Sequence, residues 1–391
     1  MRRGPTGRYS IIASAGGERV RAFVPDPLPP DPPLEIGADL RDRLDRALIA
    51  LGRLDSVTTL LPDTQLFLYT YVRKEAVLSS QIEGMQSTLS DLLLFEADEI
   101  PGVPMDDVAE VSSYVAALEH GLQRIASGFP LSNRLIREVH GKLMATGRGR
   151  DKAPGEFRQS QNWLGGSRPG NARYVPPPPG EVEDCMGSLE RWLHDHPQRT
   201  SPLLKAALSH VQFETIHPFL DGNGRVGRLL VTLLLCVEGV LQQPILYLSL
   251  FLKQHRDEYY EHLDSVRRDG DWESWLAFFA TGVTETAEGA VHTVKRLVQL
   301  FHEDRDTVRT LGRVSGSASR LHQALQARPV DTAARLAARS GLSTPTVYTA
   351  LASLESVGIV REMTGRQRHR VYAYDRYLKI LSEGTELSPA D

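Results

Sequence analysis

His217-Pro218-Phe219-Leu220-Asp221-Gly222-Asn223-Gly224-Arg225-Val226-Gly227-Arg228 joins two apolar runs, Leu203 to Phe213 before it and Leu229 to Val237 after it. Both runs carry helical spacing, so the twelve residues read as a turn that opens a helix. A glycine-rich turn entering a helix leaves backbone N–H groups at the positive end of the helix dipole, a setting that favours phosphate. Gly222 and Gly224 remove side chains that would hold a phosphate away from the backbone. Arg225 and Arg228 share a helix face and can grip further phosphate oxygens, with Val226 and Gly227 completing the anion-binding turn. Asp221 offers a hard oxygen to a cation such as Mg2+ on a phosphate chain. His217, with an ordinary imidazole pKa of about 6.5, exchanges a proton near neutrality.

Taken singly, a histidine before proline is a loop residue and Gly-Asn-Gly is a turn. Gly222 to Gly227 also fits Gly-x-Gly-x-x-Gly, but a dinucleotide fold needs a strand where this sequence has a helix. A zinc site of His210, Glu214 and His217 would share one helix face, yet it leaves both arginines without a purpose. The joint pattern of base, metal carboxylate, anion turn and two arginines survives these alternatives.

The twelve residues resemble the signature of Fic-domain proteins, His-Pro-Phe-x-(Asp/Glu)-Gly-Asn-Gly-Arg-x-x-Arg, with every fixed position matched. The resemblance extends over about residues 40–290. It implies transfer of AMP from ATP to a Ser, Thr or Tyr hydroxyl of a target protein, with release of pyrophosphate. His217 would then be the base, Asp221 the Mg2+ ligand, Gly222 to Gly224 the anion hole, and Arg225 and Arg228 the outer phosphate ligands. The intact Gly222-Asn223-Gly224 argues against the phosphate-transferring branch, where that turn is altered.

The rest of the 391 residues fits such an enzyme without demanding it. Apolar residues at 41% and charged residues at 24% describe a globular chain, not a disordered or collagenous one. Two cysteines, Cys185 and Cys236, build no disulfide framework and fit a reducing, cytoplasmic compartment. The basic start leads into no signal-peptide core, and the longest apolar run, Leu229 to Val237, is too short to span a bilayer, so no membrane role is expected. The net charge of −4 hides an uneven distribution. Residues 316–380 hold ten Lys and Arg against four acids, a surplus of +6, and the last eleven residues are −3.

Periodicity predicts helices at 38–61, 63–83, 105–126, 132–145, 181–196, 201–214, 224–239, 249–267 and 272–312. Phe157 to Leu164 and Ala172 to Val175 read as a β-hairpin around Gly165-Gly166. It resembles the family's flap, which would hold a target segment as an added strand. The fold class is mainly α, a Fic-type helical core with this flap, plus a C-terminal winged-helix domain. The expected domains are an extended Pro-rich arm at 1–37, a helical segment at 38–104, the catalytic core at 105–300, a linker helix at 301–315, a winged helix at 316–380 and an acidic tail at 381–391.

Ser79-Ser80-Gln81-Ile82-Glu83-Gly84 closes the second helix. At 100° per residue, Glu83 falls within about 60° of Val72, Ala76 and Ser79, which predicts a buried carboxylate needing a cation. Ser79, Glu83 and Gly84 resemble the family's inhibitory motif, (Ser/Thr)-x-x-x-Glu-(Gly/Asn), which implies that Glu83 pairs with Arg228 and misaligns ATP. Tyr259 falls where relatives line the base pocket, although core packing explains it equally well.

In the C-terminal module, Val330 to Ser340, a Gly341 turn and Thr344 to Val357 have helix-turn-helix spacing, and Gly358 to Tyr374 reads as a wing. Arg366, Arg368 and Arg370 would alternate along a wing strand and suit phosphates. The surplus charge favours DNA, whereas Thr344 to Thr349, without Arg or Lys, suits a partner protein or a homodimer as well. The alternative function is a transcription regulator using the nucleotide site as a sensor; transfer of another phosphate-linked group is a third.

Overall fold

A computed structural model describes residues 3–13, 18–59, 64–97, 105–366 and 369–386. The expected helix ends at 60–63, Arg368 and the end of the acidic tail at 387–391 lie outside the described residues. In chain order the first elements are β1 (Gly7–Ala13), β2 (Arg19–Pro25), α1 (Ala38–Thr59), α2 (Thr64–Ile82), α3 (Leu89–Glu96) and α4 (Met105–Ala126). There follow α5 (Asn133–Leu143), α6 (Pro179–Leu193), α7 (Pro202–Ile216), α8 (Asn223–Val237), α9 (Ser249–Gln254), α10 (Arg256–Asp269) and α11 (Trp272–Arg309). The C-terminal part holds α12 (Ser315–Ala327), β3 (Val330–Thr332), α13 (Ala333–Ser340), α14 (Thr344–Ser356), β4 (Arg361–Glu362), β5 (Val371–Ala373) and α15 (Asp375–Ser382).

Two compact units divide the chain, both discontinuous in sequence: residues 1–52, 112–244 and 251–286, and residues 53–111, 245–250 and 287–391. The expected boundaries are not followed, since 38–104 and 105–300 each supply residues to both units.

The first unit is organised around α7, which is buried from Lys205 to Ile216. A helix buried on all sides must satisfy its polar groups internally. Ser209 Oγ accepts from Trp192 Nε1 at 3.1 Å, and the Ala207 carbonyl accepts from Trp275 Nε1 at 2.9 Å. Lys205 Nζ meets Asp195 at 2.6 Å and Glu238 at 2.5 Å. The reading of 1–37 as an extended arm is corrected: β1 and β2 pair antiparallel, Gly7 opposite Pro25 and Ala13 opposite Arg19. One face of β2 buries Val20 and Ala22, the other buries Phe23 against Tyr9, and the proline run begins only at Pro25, the last residue of β2.

The 157–175 segment is a loop closed by one bridge, Leu164 to Tyr174, instead of a two-stranded hairpin. Its tip is held by Asn171, whose Oδ1 accepts the Ser167 and Arg168 N–H groups at 3.0 Å, over left-handed Gly165 and Gly166. The expected helix at 249–267 breaks at His255, whose φ of −112° and ψ of 39° are not helical.

The second unit contains the winged helix. Its sheet has the order β3-β5-β4, all antiparallel, and α13, left-handed Gly341 and α14 form the helix-turn-helix. Val330 to Thr332 forms a strand, not the start of a helix; 301–315 is no separate linker, since α11 runs on to Arg309. Arg366 and Arg370 precede β5, so the expected alternation along a strand does not occur. Much of the basic surplus is internally engaged: Arg339 with Asp331, Arg361 and Lys379 with Asp375, and Arg376 with Asp304 and Glu303. Arg335 donates to the Glu96 carbonyl at 2.8 Å. In the same unit α2 is tied to the chain end, as Lys74 Nζ donates to the Glu383 carbonyl at 2.7 Å and Gln81 Nε2 to that of Thr385 at 2.9 Å. Among the described residues no helix is long and apolar enough to cross a membrane.

Candidate functional site

The signature forms the turn from α7 into α8. His217 caps α7 in the left-handed region, φ 50°, with its N–H on the Phe213 carbonyl at 2.9 Å. Its Nδ1 lies 4.0 Å from Glu214 Oε2, one turn back on α7. Phe219 is fully buried, and Asn223 pins it from both sides: Oδ1 accepts the Phe219 N–H and Nδ2 donates to its carbonyl, each at 2.8 Å. Asn223, expected in the anion hole, therefore acts as the internal clasp of the turn.

Gly222 caps α8 at φ 74°, and a β-carbon there would stand 2.7 Å from Met144 Sδ. Both the backbone conformation and the close approach require glycine. The Asp221 carboxylate is exposed and accepts the Gly222 N–H at 2.6 Å. Arg225 and Arg228 lie on the first turns of α8 and are 3% and 4% exposed, so neither guanidinium belongs to an ordinary solvated face. Arg225 Nη2 lies 3.7 Å from Met144 Sδ. Val226 and Gly227 have internal roles: Val226 is a core residue whose N–H is on the Gly222 carbonyl at 3.0 Å, and Gly227 makes room for Glu214.

Two residues that sequence reasoning missed hold this turn. His140, fully buried on α5, stacks on Phe219 with centroids 3.7 Å apart and planes within 4°. Its Nδ1 accepts the Gly155 N–H at 2.8 Å, which leaves Nε2 to donate to the Asp221 carbonyl at 3.1 Å. Burial pushes this imidazole down to about 4, so it stays neutral in that tautomer. Arg158 is 1% exposed and donates to the His217 carbonyl at 2.9 Å. Both lie far from the signature in sequence, and nothing in their own neighbourhoods marks them.

Among the described residues no three His, Cys, Asp or Glu converge as metal ligands. His210 Nε2 meets the Tyr259 hydroxyl at 2.8 Å, and with no such convergence of ligands the zinc alternative finds no support. Tyr259 is 1% exposed, so it packs in the core behind α7 instead of lining an open base pocket. A single exposed carboxylate fits Mg2+, which keeps waters and substrate phosphates as its other ligands.

Residues 41–123 match the Fic/DOC family N-terminal region and residues 130–235 match the Fic/DOC family domain. Residues 41–235 thus carry two adjoining Fic/DOC-family matches. Residues 323–363 match the IclR helix-turn-helix domain, in agreement with the winged helix. Protein adenylyltransferase Fic of Drosophila yakuba is 30% identical over 210 residues, which are 53% of this chain and 39% of that protein. The chain thus matches well under half the length of this Fic relative. A Fic family protein from Desulfovibrio desulfuricans has the same fold, with a TM-score of 0.57 and 20% identity over 88% of this chain and 97% of the other. Fic-1 from C. elegans aligns at a TM-score of 0.50 and 21% identity, over 67% of this chain and 74% of the other.

Glu83 departs from the expected burial. It is exposed, because α2 ends at Ile82 in a Schellman cap. The Met85 N–H reaches the Ser80 carbonyl at 3.2 Å, the Gly84 N–H reaches that of Gln81 at 3.0 Å, and Gly84 is left-handed. Helical phase carries Ser79 into the core, but the cap turns Glu83 out of it.

Proposed function

We propose that this chain transfers AMP from ATP to a hydroxyl of a target protein. The observation that carries the reading is the α7–α8 turn, which joins a left-handed histidine to a helix N-terminus bearing two buried arginines. In this reading His217 takes the hydroxyl proton as the oxygen attacks the α-phosphorus, and pyrophosphate leaves. Positioned bases contribute about 10²–10⁴ in rate. The larger contribution comes from α8, whose first N–H groups, Arg225 and Arg228 hold the phosphates as charge shifts to the leaving group. Mg2+ held at Asp221 would add charge neutralisation. Relatives named protein adenylyltransferase Fic support this assignment.

Glu83 restrains the activity, the expected pairing with Arg228 being part of this proposal. The segment bearing Glu83 belongs to the same unit as the winged helix, and Lys74 and Gln81 bond the residues just after it, Glu383 and Thr385. A DNA or protein ligand of the winged helix would therefore act on the restraint, and the 157–175 loop would hold the target segment. Incubating wild type, Glu83→Gly and His217→Ala with α-labelled ATP tests the reading. Label on protein that rises with Glu83→Gly and vanishes with His217→Ala supports it; salt-sensitive DNA binding without any label favours a regulator.

A further inference from the structure

Among the described residues no acid pairs with Arg158. It is buried, and its guanidinium is committed to backbone carbonyls: Nε to His217 at 2.9 Å, Nη2 to Pro177 at 2.5 Å and to Ile216 at 3.5 Å, and Nη1 to Ser160 at 3.4 Å. Its own N–H donates to the Pro218 carbonyl at 2.9 Å. The Ile216 and His217 carbonyls belong to the C-terminal end of α7, where the helix dipole is negative and a cation is favoured. Burial pushes the guanidinium down to about 10, which leaves it charged at neutral pH.

The acceptors fall on three separate pieces of chain. Ser160 is on the arm entering the 157–175 loop, Pro177 follows the arm leaving it, and Ile216 to Pro218 is the turn that carries the base. His217 itself occupies φ 50°, a left-handed conformation that is uncommon for residues other than glycine, less so for Asn, Asp and His, and that a constraint from its surroundings helps to hold. A planar fork reaching carbonyls on all three pieces is such a constraint, and lysine, a point donor, cannot reproduce it.

We infer that Arg158 is a positioning residue for the transfer reaction, locking the left-handed backbone of His217 and both arms of the 157–175 loop into one register. This rests on the transfer reading above. Unlike a generic core arginine, it should govern the placement of the base more than the affinity for nucleotide.

The test uses the full chain with Arg158→Gln and Arg158→Lys, in wild type and Glu83→Gly backgrounds. Three quantities are measured: kcat, KM for ATP, and the NMR signals of the His217 ring. The expected result for Arg158→Gln is a fall in kcat of about 10²-fold with KM for ATP within about twofold, and displaced His217 signals. Arg158→Lys should recover part of the loss, and it carries the test if the glutamine variant does not fold. An unchanged kcat in folded protein, or KM for ATP rising in step with the loss of kcat, overturns the assignment. If the unsubstituted protein transfers no AMP in either background, the transfer reading fails. The positioning role then stands or falls on the ring signals alone, and unmoved signals overturn it.

Discussion

Gly227 of α8 lies so close to Glu214 of α7 that a β-carbon on it would stand 2.4 Å from Glu214 Oε1 and 3.3 Å from the Phe213 ring. The same carboxylate lies 4.0 Å from His217 Nδ1. Gly227→Ala should therefore displace the flexible end of Glu214 before it pushes the helices apart. We expect a stability loss of about 1 kcal/mol, at the low end for overpacking, with a loss of AMP transfer larger than that loss explains. Thermal unfolding beside a transfer assay checks this, and activity falling only as far as stability does would refute it.

Three buried imidazoles set the acid limit of the fold. His140, His210 and His322 are each pushed down to about 4, chiefly by burial; nearby Arg225, Arg228 and Arg305 respectively add to the effect. Unfolded, each would take a proton below about pH 6.5. The stability from keeping them neutral is therefore complete above that pH and is lost as pH falls towards 4. The limiting slope is about 1.4 kcal/mol per pH unit for each group. Urea midpoints should fall between about pH 7 and about pH 5, and His322→Gln should remove about a third of the slope. Equal midpoints at both pH values would show that these groups do not control acid stability.

The sequence revealed the site because its chemistry is local: base, carboxylate, anion turn and arginines occupy one stretch from His217 to Arg228. Apolar periodicity likewise gave most helices, since their buried stripes repeat within each element. What was not legible depends on distant partners. His140 acts through Asp221 and Gly155, and Arg158 through carbonyls that any residue could supply. The β1–β2 pair was hidden because Tyr9 and Ile11 lie exposed on β1, which blurs its alternation, while the following prolines dominated the reading. Glu83 shows a different limit, since helical phase is informative only up to the cap.

The cap leaves the Glu83 side chain out of the motif that ends α2. The side chain is exposed, and the motif that ends α2 uses only backbone groups of Ser80, Gln81, Gly84 and Met85. Glu83→Gly and Glu83→Gln should each leave the fold intact, the glycine variant being less stable than the glutamine one by about 0.5–1 kcal/mol for its backbone freedom. Both should raise AMP transfer, because the restraint is assigned to the carboxylate charge. Activation by glycine alone would instead assign the effect to backbone freedom, which unfolding midpoints and transfer rates measured together would reveal.

The charge of the winged helix predicts how it would meet DNA. Ten cations between 316 and 380 suggest an extensive phosphate surface, and about ten phosphate contacts would give a salt slope near −9. Arg339, Arg361, Arg376 and Lys379 are already in ion pairs, two of them drawing on Asp331 and Asp304, which are buried. Withdrawing them would leave buried carboxylates uncompensated, a cost that weak phosphate contacts do not offset. Binding to a short duplex, followed from about 50 to about 200 mM salt, should therefore have a slope no steeper than about −5. A slope near −9 would mean that these pairs open on DNA, and Arg376→Ala would then weaken binding. If they stay closed, as expected, Arg376→Ala lowers the unfolding midpoint and leaves DNA affinity unchanged.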